Sequence, residues 1–291
     1  MSFKEMQEKK RKREIKNEVE SETLTETDTK PVSDDGDVLT QINMPGVCLI
    51  NSKSQGGKSH AGHCIFYANK NKFAWGIGFG NTIFNENNMS FIPRRFKHMR
   101  YDPNVLRQVL MLQIDVPKEE RPLVFIYFDD CISDFQQEDK VLMEAVTQTF
   151  HYNIFIMITT QSINKIPNYV RENAFQVILF KLFSKGQINA AFDSYGQDFD
   201  SVNDFKNEVN NKLGDHVFAF INRHKGGTWR FCKCPPPPLP AFEFKFGPDE
   251  EKENEKKMKQ KKMKKKKRKI KKEKDDSDLG LVDLGSYYEK L

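Results

Sequence analysis

Apolar residues crowd into the middle of this chain. Residues 1–36 hold almost no large apolar side chains and are dominated by Lys, Glu, Ser, Thr and Asp. Such a segment cannot bury enough surface to offset its ordering entropy, so the pattern predicts disorder. Through residues 38–247, short apolar runs alternate with amphipathic stretches, and from residue 248 the chain turns polar again. Residues 46–51 (GVCLIN) and 73–79 (FAWGIGF) read as strands. A small-residue loop follows the first of them, and then a helix over 59–68. Residues 103–114 predict a helix that opens on Pro103, with Val105, Leu106, Val109, Leu110 and Leu112 at helical spacing. The run 123–128 (LVFIYF) is the most strand-like in the chain. It is followed by an amphipathic helix over 138–150 and a strand over 153–159 (NIFIMIT). A short helix over 167–173, a strand over 175–183 and two polar helices within 186–213 come next. Residues 217–222 and 228–232 flank Lys225-Gly226-Gly227 and predict a hairpin.

The strands between helices are apolar throughout rather than alternating. Strands buried on both faces have that pattern, which marks a parallel sheet sandwiched by helices. The expected fold is therefore α/β: a mainly parallel sheet flanked by helices, with a C-terminal β-hairpin and disordered termini. Four prolines, 235–238, form a stiff spacer that leads the chain off the domain. The implied organisation is a charged disordered segment (1–37), one folded domain (38–247), a basic disordered tail (248–278) and a short apolar peptide (279–291). That last stretch, LGLVDLGSYYEKL, is a candidate docking peptide for a partner surface.

Charge changes this picture in one respect. Between residues 252 and 274 there are 15 lysines and arginines against three glutamates, a local net of +12. The whole chain carries only +6, so the remainder carries −6. The tail is a polycation on a mildly acidic body. It suits nucleic acid, an anionic membrane surface or a localisation receptor, unless it is only a solvated tail. The five cysteines suggest neither a disulfide framework nor a metal cluster. Cys232-Lys233-Cys234 has the wrong spacing for half a zinc site, and a second pair is missing. No signal peptide opens the chain and no apolar run reaches the length of a membrane span. The expectation is a soluble protein, intracellular or packed in a particle made inside a cell.

Candidate chemistry begins where GVCLIN runs into Ser52-Lys53-Ser54-Gln55-Gly56-Gly57-Lys58-Ser59 and then a helix. A strand, a glycine-rich loop ending in Lys-Ser and a helix form a P-loop, whose backbone N–H groups wrap phosphates at the positive end of the helix dipole. Ser54, Gln55, Gly56, Gly57, Lys58, Ser59 and His60 are the candidate nucleotide-binding residues. Lys58 would reach the β- and γ-phosphates, and Ser59 would ligate Mg²⁺. The side chains of His60 and His63 themselves read as ordinary packing or surface groups. The usual pattern opens with glycine, and here Ser52 stands at that position.

The run 123–128 ends in Asp129-Asp130, and an apolar strand ending in acids is the second half of such a site. Asp129 would hold Mg²⁺, directly or through water. Asp130 stands where many ATPases carry the glutamate that orients the attacking water. A helix N-cap pair is the alternative for the two acids. Gln161 follows the next strand; it would contact the γ-phosphate or the water, or else cap the following turn. Arg171 would complete a neighbouring subunit's site, or else form a surface ion pair with Glu172 or another acid. Arg94, Arg95 and Arg100, interleaved with Phe and Tyr, would line a DNA channel or supply a rival arginine.

Taken together, the loop 52–59, the string IYFDD and the string ITTQSINKIPNYVREN resemble the genome-packaging ATPases of large DNA viruses, virophages and related selfish elements, within the FtsK–HerA superfamily. The resemblance spans roughly residues 38–232. It implies a RecA-like P-loop core, ATP and Mg²⁺ as cofactors, a homo-oligomeric ring and ATP-driven translocation of double-stranded DNA into a preformed capsid. A capsid or packaging-vertex protein would be the partner, and the host cytoplasm or the virion the location. Two rival readings stay open: another P-loop enzyme such as a kinase or helicase, and a nucleotide-switched protein that tethers DNA or capsid.

Overall fold

The structure, a computed structural model, describes residues 36–39, 41–84, 89–223, 228–234, 244, 246 and 263. Residues 1–35, the Lys225-Gly226-Gly227 turn, the proline run 235–238, the basic tail apart from Met263, and the peptide 279–291 lie outside them.

The described chain runs β1 (Gly46–Asn51), α1 (Lys58–Ala68), β2 (Trp75–Gly80), β3 (Lys97–His98), α2 (Pro103–Ile114), β4 (Val124–Asp129), α3 (Lys140–Thr147), α4 (Thr149–Tyr152), β5 (Ile154–Thr160), α5 (Asn168–Asn173), β6 (Ala174–Leu179), α6 (Lys185–Tyr195), α7 (Val202–Glu208), β7 (Val217–Asn222) and β8 (Thr228–Lys233). One eight-stranded sheet has the order β3-β2-β4-β5-β1-β6-β7-β8. Its pairs are parallel from β3 through β6 and antiparallel from β6 through β8. This is an α/β P-loop fold, and the hairpin forms the edge beyond β6.

The uniformly apolar strands serve two cores at once, because successive side chains point to opposite faces. On β4, Val124, Ile126 and Phe128 enter one core while Phe125 and Tyr127 enter the other. The first core is mainly aliphatic and packs under α2, α3 and α6. The second lies under α1 and is dense in phenylalanine, with Phe66 in ring contact with Phe73, Phe91 and Phe125, and Phe73 with Phe125. Phe246 belongs to this cluster. Its N–H donates to the Phe91 carbonyl (3.0 Å), and its ring centroid lies 4.7 Å from that of Phe125.

Three boundaries differ from the sequence pattern for identifiable reasons. The helix over 138–150 is divided at Gln148, whose backbone (φ −116°, ψ 28°) leaves the helical region. Just before it, the Thr147 hydroxyl bonds back to the carbonyls of Met143 and Glu144, a local bond that competes with the helical ladder. The apolar run 175–183 is strand only to Leu179. Past it, buried Asn210 takes up the Leu182 backbone, accepting from its N–H (2.7 Å) and donating to its carbonyl (3.1 Å). β2 begins at Trp75, since Phe73 already turns into the aromatic cluster.

All five cysteines are free. No helix among the described residues is long and apolar enough to cross a membrane.

Candidate active site

The carboxyl ends of β1, β4 and β5 meet the amino end of α1, and the residues singled out in the sequence converge there. β5 lies between β4 and β1, so the strand carrying Gln161 at its end separates the P-loop strand from the acid-bearing strand. A cleft of about 450 Å³ opens at this point. Ser54, Gln55, Gly57, Lys58, Ser59 and His60 line one side of it. Asp129, Asp130 and Gln161 line the other, together with Asn81 and Thr82.

The loop is built by short-range constraints. The Ser52 N–H donates to the Thr160 carbonyl (3.0 Å), which carries the β1–β5 ladder one residue past the strand. The chain then folds back, with Gly56 N–H donating to the Lys53 carbonyl (3.1 Å). Gln55 takes φ 60° and Gly57 takes φ 103°, a conformation that favours glycine. Ser52, in place of the usual glycine, is fully buried, and its Oγ donates to the Lys53 carbonyl (3.1 Å). A Cβ on Gly56 would lie 2.1 Å from that Oγ. The serine hydroxyl therefore fills the inside of the loop, and the loop closes over it because residue 56 has no side chain. Gly56 accordingly sits behind the cleft lining rather than in it.

α1 begins at Lys58 with Gly57 as N-cap, which contributes no side chain. The first-turn N–H groups thus have no intrahelical acceptor and face the cleft as an anion cradle.

Asp129 ends β4 and is 4% exposed. Three neutral hydroxyls hold its carboxylate. Oδ1 accepts from Thr159 Oγ1 (2.8 Å) and Tyr127 OH (3.0 Å), and Oδ2 accepts from Thr82 Oγ1 (3.2 Å). Strand geometry supplies each donor. Tyr127 lies two residues before Asp129 on the same face. Thr159 is the register partner of Asp129 on β5. Thr82 follows β2, where Gly80 pairs with Asp129. Burial and the facing carboxylate push the Tyr127 phenol well above its ordinary pKa, so it remains a donor.

Asp130 turns out of the strand with φ 57°, a left-handed conformation that aspartate tolerates, while its N–H donates to the Thr159 carbonyl (3.1 Å). Its Oδ2 lies 2.9 Å from Lys58 Nζ and also accepts from Gln161 Nε2. The Gln161 carbonyl in turn accepts from Gln187 Nε2 on α6 (2.7 Å). Gln161 thus joins the acid rather than capping the turn.

The residues present fit ATP and Mg²⁺. The Asp129 carboxylate and the Ser59 hydroxyl are hard oxygen donors on one cleft, suited to Mg²⁺. Lys58 and the amides of α1 suit phosphate. His60 lines the cleft, with Nε2 3.6 Å from Cys64 Sγ. His63 is buried edge-on to Phe91, and burial pulls its pKa down to about 4.

The arginines are not brought into the cleft. Arg171 on α5 donates to the Ile163 carbonyl (3.2 Å) and to Asn168 Oδ1, while the Glu172 carbonyl accepts from Arg223 (2.8 Å). Arg94 and Arg95 lie over the rings of Phe84 and Phe96 near the β3 edge. Sequence reading passed over Asn81, Thr82, Tyr127 and Thr159. The i, i+2 spacing of Tyr127 and Asp129 was a usable signal; the other three needed the strand register.

No family model and no curated protein matches the chain. Among solved structures, the genome packaging NTPase B204 of Sulfolobus turreted icosahedral virus 2 matches in several complexes. With AMP, it aligns over 67% of this chain and 100% of its own, at 14% identity and TM-score 0.53. The sulfate complex gives 67%, 99%, 14% and 0.52, and the ATP-γS complex 65%, 98%, 14% and 0.51. The two chains share a fold. The packaging NTPase is matched over its whole length, and the third of this chain that it leaves unmatched equals an addition to that shared core.

Proposed function

We propose that this chain is an ATP-hydrolysing motor that drives double-stranded DNA into a preformed capsid. One observation carries the reading. Lys58, Asp129, Asp130 and Gln161, from three separate segments, converge on one cleft at the head of α1, within a fold shared with a packaging NTPase.

In this mechanism the amides of the loop and of α1 receive the phosphates, and Lys58 exchanges its Asp130 partner for the β- and γ-phosphates. Ser59 and Asp129 would hold Mg²⁺, which would supply neutralisation of charge on the transferring phosphoryl group. Release from Lys58 leaves Asp130 free to accept a proton from, and orient, the attacking water. Gln161 bonds to Asp130 through its side chain and to α6 through its carbonyl, so it senses changes at the acid and passes them on. Arg171, outside its own cleft, serves the site of the next subunit in a homo-oligomeric ring. Contacts to DNA run mainly to phosphates and are sequence-independent and salt-sensitive. A capsid or packaging-vertex protein is the partner, and the host cytoplasm or the virion the location.

The test is ATP hydrolysis by the full chain with and without duplex DNA, beside Lys58→Ala. Stimulation by duplex DNA in the parent, with hydrolysis abolished in a folded Lys58→Ala protein, is the expected result. Undiminished hydrolysis in that variant removes the motor reading. Turnover that ignores DNA, with DNA binding lost on deletion of residues 252–274, favours the tether.

A further inference from the structure

The cleft has two unlike flanks. Toward β4 and β2 it is polar, lined by Asn81, Thr82 and the two aspartates. Toward β6, just outside that lining, lie the rings of Phe180 and Phe183. Phe180 N–H donates to the Asn51 carbonyl (2.9 Å), which extends the β1–β6 pairing to the foot of the loop, and its ring lies 3.2 Å from where a Gly57 Cβ would be. Three residues on, Phe183 is 60% exposed. It is nonetheless held firmly. Leu182 before it is clamped through both backbone groups by buried Asn210, and Ser184 after it caps α6 through the Gln187 N–H (3.2 Å). The ammonium of Lys53, the second residue of the phosphate loop, lies 4.6 Å over the Phe183 ring. An exposed phenyl ring on a pinned backbone, tied by a cation to the phosphate loop, has little to contribute to the core and much to offer a flat π-system.

We propose that Phe183 is the platform on which the base of the bound nucleotide stacks. The proposal rests on the nucleotide-binding reading above and adds the half of the ligand that the phosphate loop does not reach. Phosphates on the loop and on α1 leave the sugar and base to project past one flank of the cleft. The polar flank is taken up by the carboxylates and their hydroxyl partners, so the base goes to the aromatic one. Lys53 steadies the ring and places positive charge beside the polyphosphate. Stacking on a lone ring has no hydrogen-bond code, so the platform favours nucleotides over bare phosphates without choosing sharply among bases.

Calorimetric titration of the full chain with ATP, ADP and inorganic tripolyphosphate tests this, using wild type, Phe183→Ala and Phe183→Trp. Phe183→Ala is expected to weaken ATP and ADP binding by about tenfold or more while leaving tripolyphosphate unchanged. Phe183→Trp is expected to keep ATP affinity and to gain an indole emission, over that of the parent, that ATP quenches and tripolyphosphate does not. Equal ATP affinity in wild type and Phe183→Ala overturns the platform and leaves the phosphate site standing. A parallel loss of ATP and tripolyphosphate affinity in Phe183→Ala also overturns it, because the ring then supports the loop instead of the base. A wild type that binds none of the three ligands overturns the nucleotide reading itself.

Discussion

Asp129 and Asp130 are neighbours in the sequence and occupy opposite environments. Asp129 forms the floor of the cleft, buried and held by three neutral hydroxyls from β4, β5 and the turn after β2. Asp130 stands at the rim, partly exposed, and is held by Lys58 and Gln161. The floor is fixed by sheet register and cannot move without disturbing three strands. The rim is held by two long side chains that exchange partners at little cost. An ion-holding group benefits from the first arrangement, and a group that must change partners during turnover benefits from the second.

The largest expected effect lies at the rim. Asp130→Asn keeps the shape and removes the charge, and kcat for ATP hydrolysis should fall by about 10²–10⁴-fold. Nucleotide binding should persist, because Lys58 then has no competing partner. A variant that hydrolyses ATP normally would move catalysis to the floor and break the comparison.

A smaller effect concerns the floor. Burial lowers the His63 pKa to about 4, and the coulombic influences of Asp129 (raising) and of His60 and Lys97 (lowering) are secondary to it. The unfolded chain, with an ordinary histidine near 6.5, therefore binds more protons than the folded one between these values. Stability is full above pH about 6.5 and declines as pH falls toward about 4, by at most about 3 kcal/mol. Urea unfolding against pH measures this slope, and His63→Phe should flatten it. An unchanged slope in that variant assigns the dependence to another group.

The smallest expected effect sharpens the contrast. Tyr127→Phe removes one of the three donors to Asp129, and should cost about 1–2 kcal/mol of unfolding free energy. It should also raise the Mg²⁺ concentration needed for half-maximal hydrolysis while leaving ATP binding without metal intact. Loss of turnover at saturating Mg²⁺ would mean that floor and rim are coupled.

Much of this was legible along the chain. Strands β1, β4 and β5 announce themselves because parallel strands buried on both faces have no polar position to break the run. The phosphate loop is legible because its work is done by contiguous backbone. The floor was hidden for the converse reason. Thr82 and Thr159 reach Asp129 across 47 and 30 positions, and only the pairing of Gly80 and Thr159 with Asp129 brings them there. Asn210 is similar. Nothing local marks it as the residue that takes Leu182 away from the sheet.

The return of the chain to Phe246 has a mechanical consequence. Among the described residues β8 is an edge strand, paired to β7 alone, and a pull on its free end would peel its hydrogen bonds one at a time. Phe246 lies beyond β8 in the chain but sits within the phenylalanine cluster under α1, bonded to Phe91 and 3% exposed. Tension that reaches Phe246 from the C-terminal side meets that anchor before it reaches β8, and there many ring contacts must give way together. The hairpin is thereby shielded from being unzipped by whatever tugs on the tail.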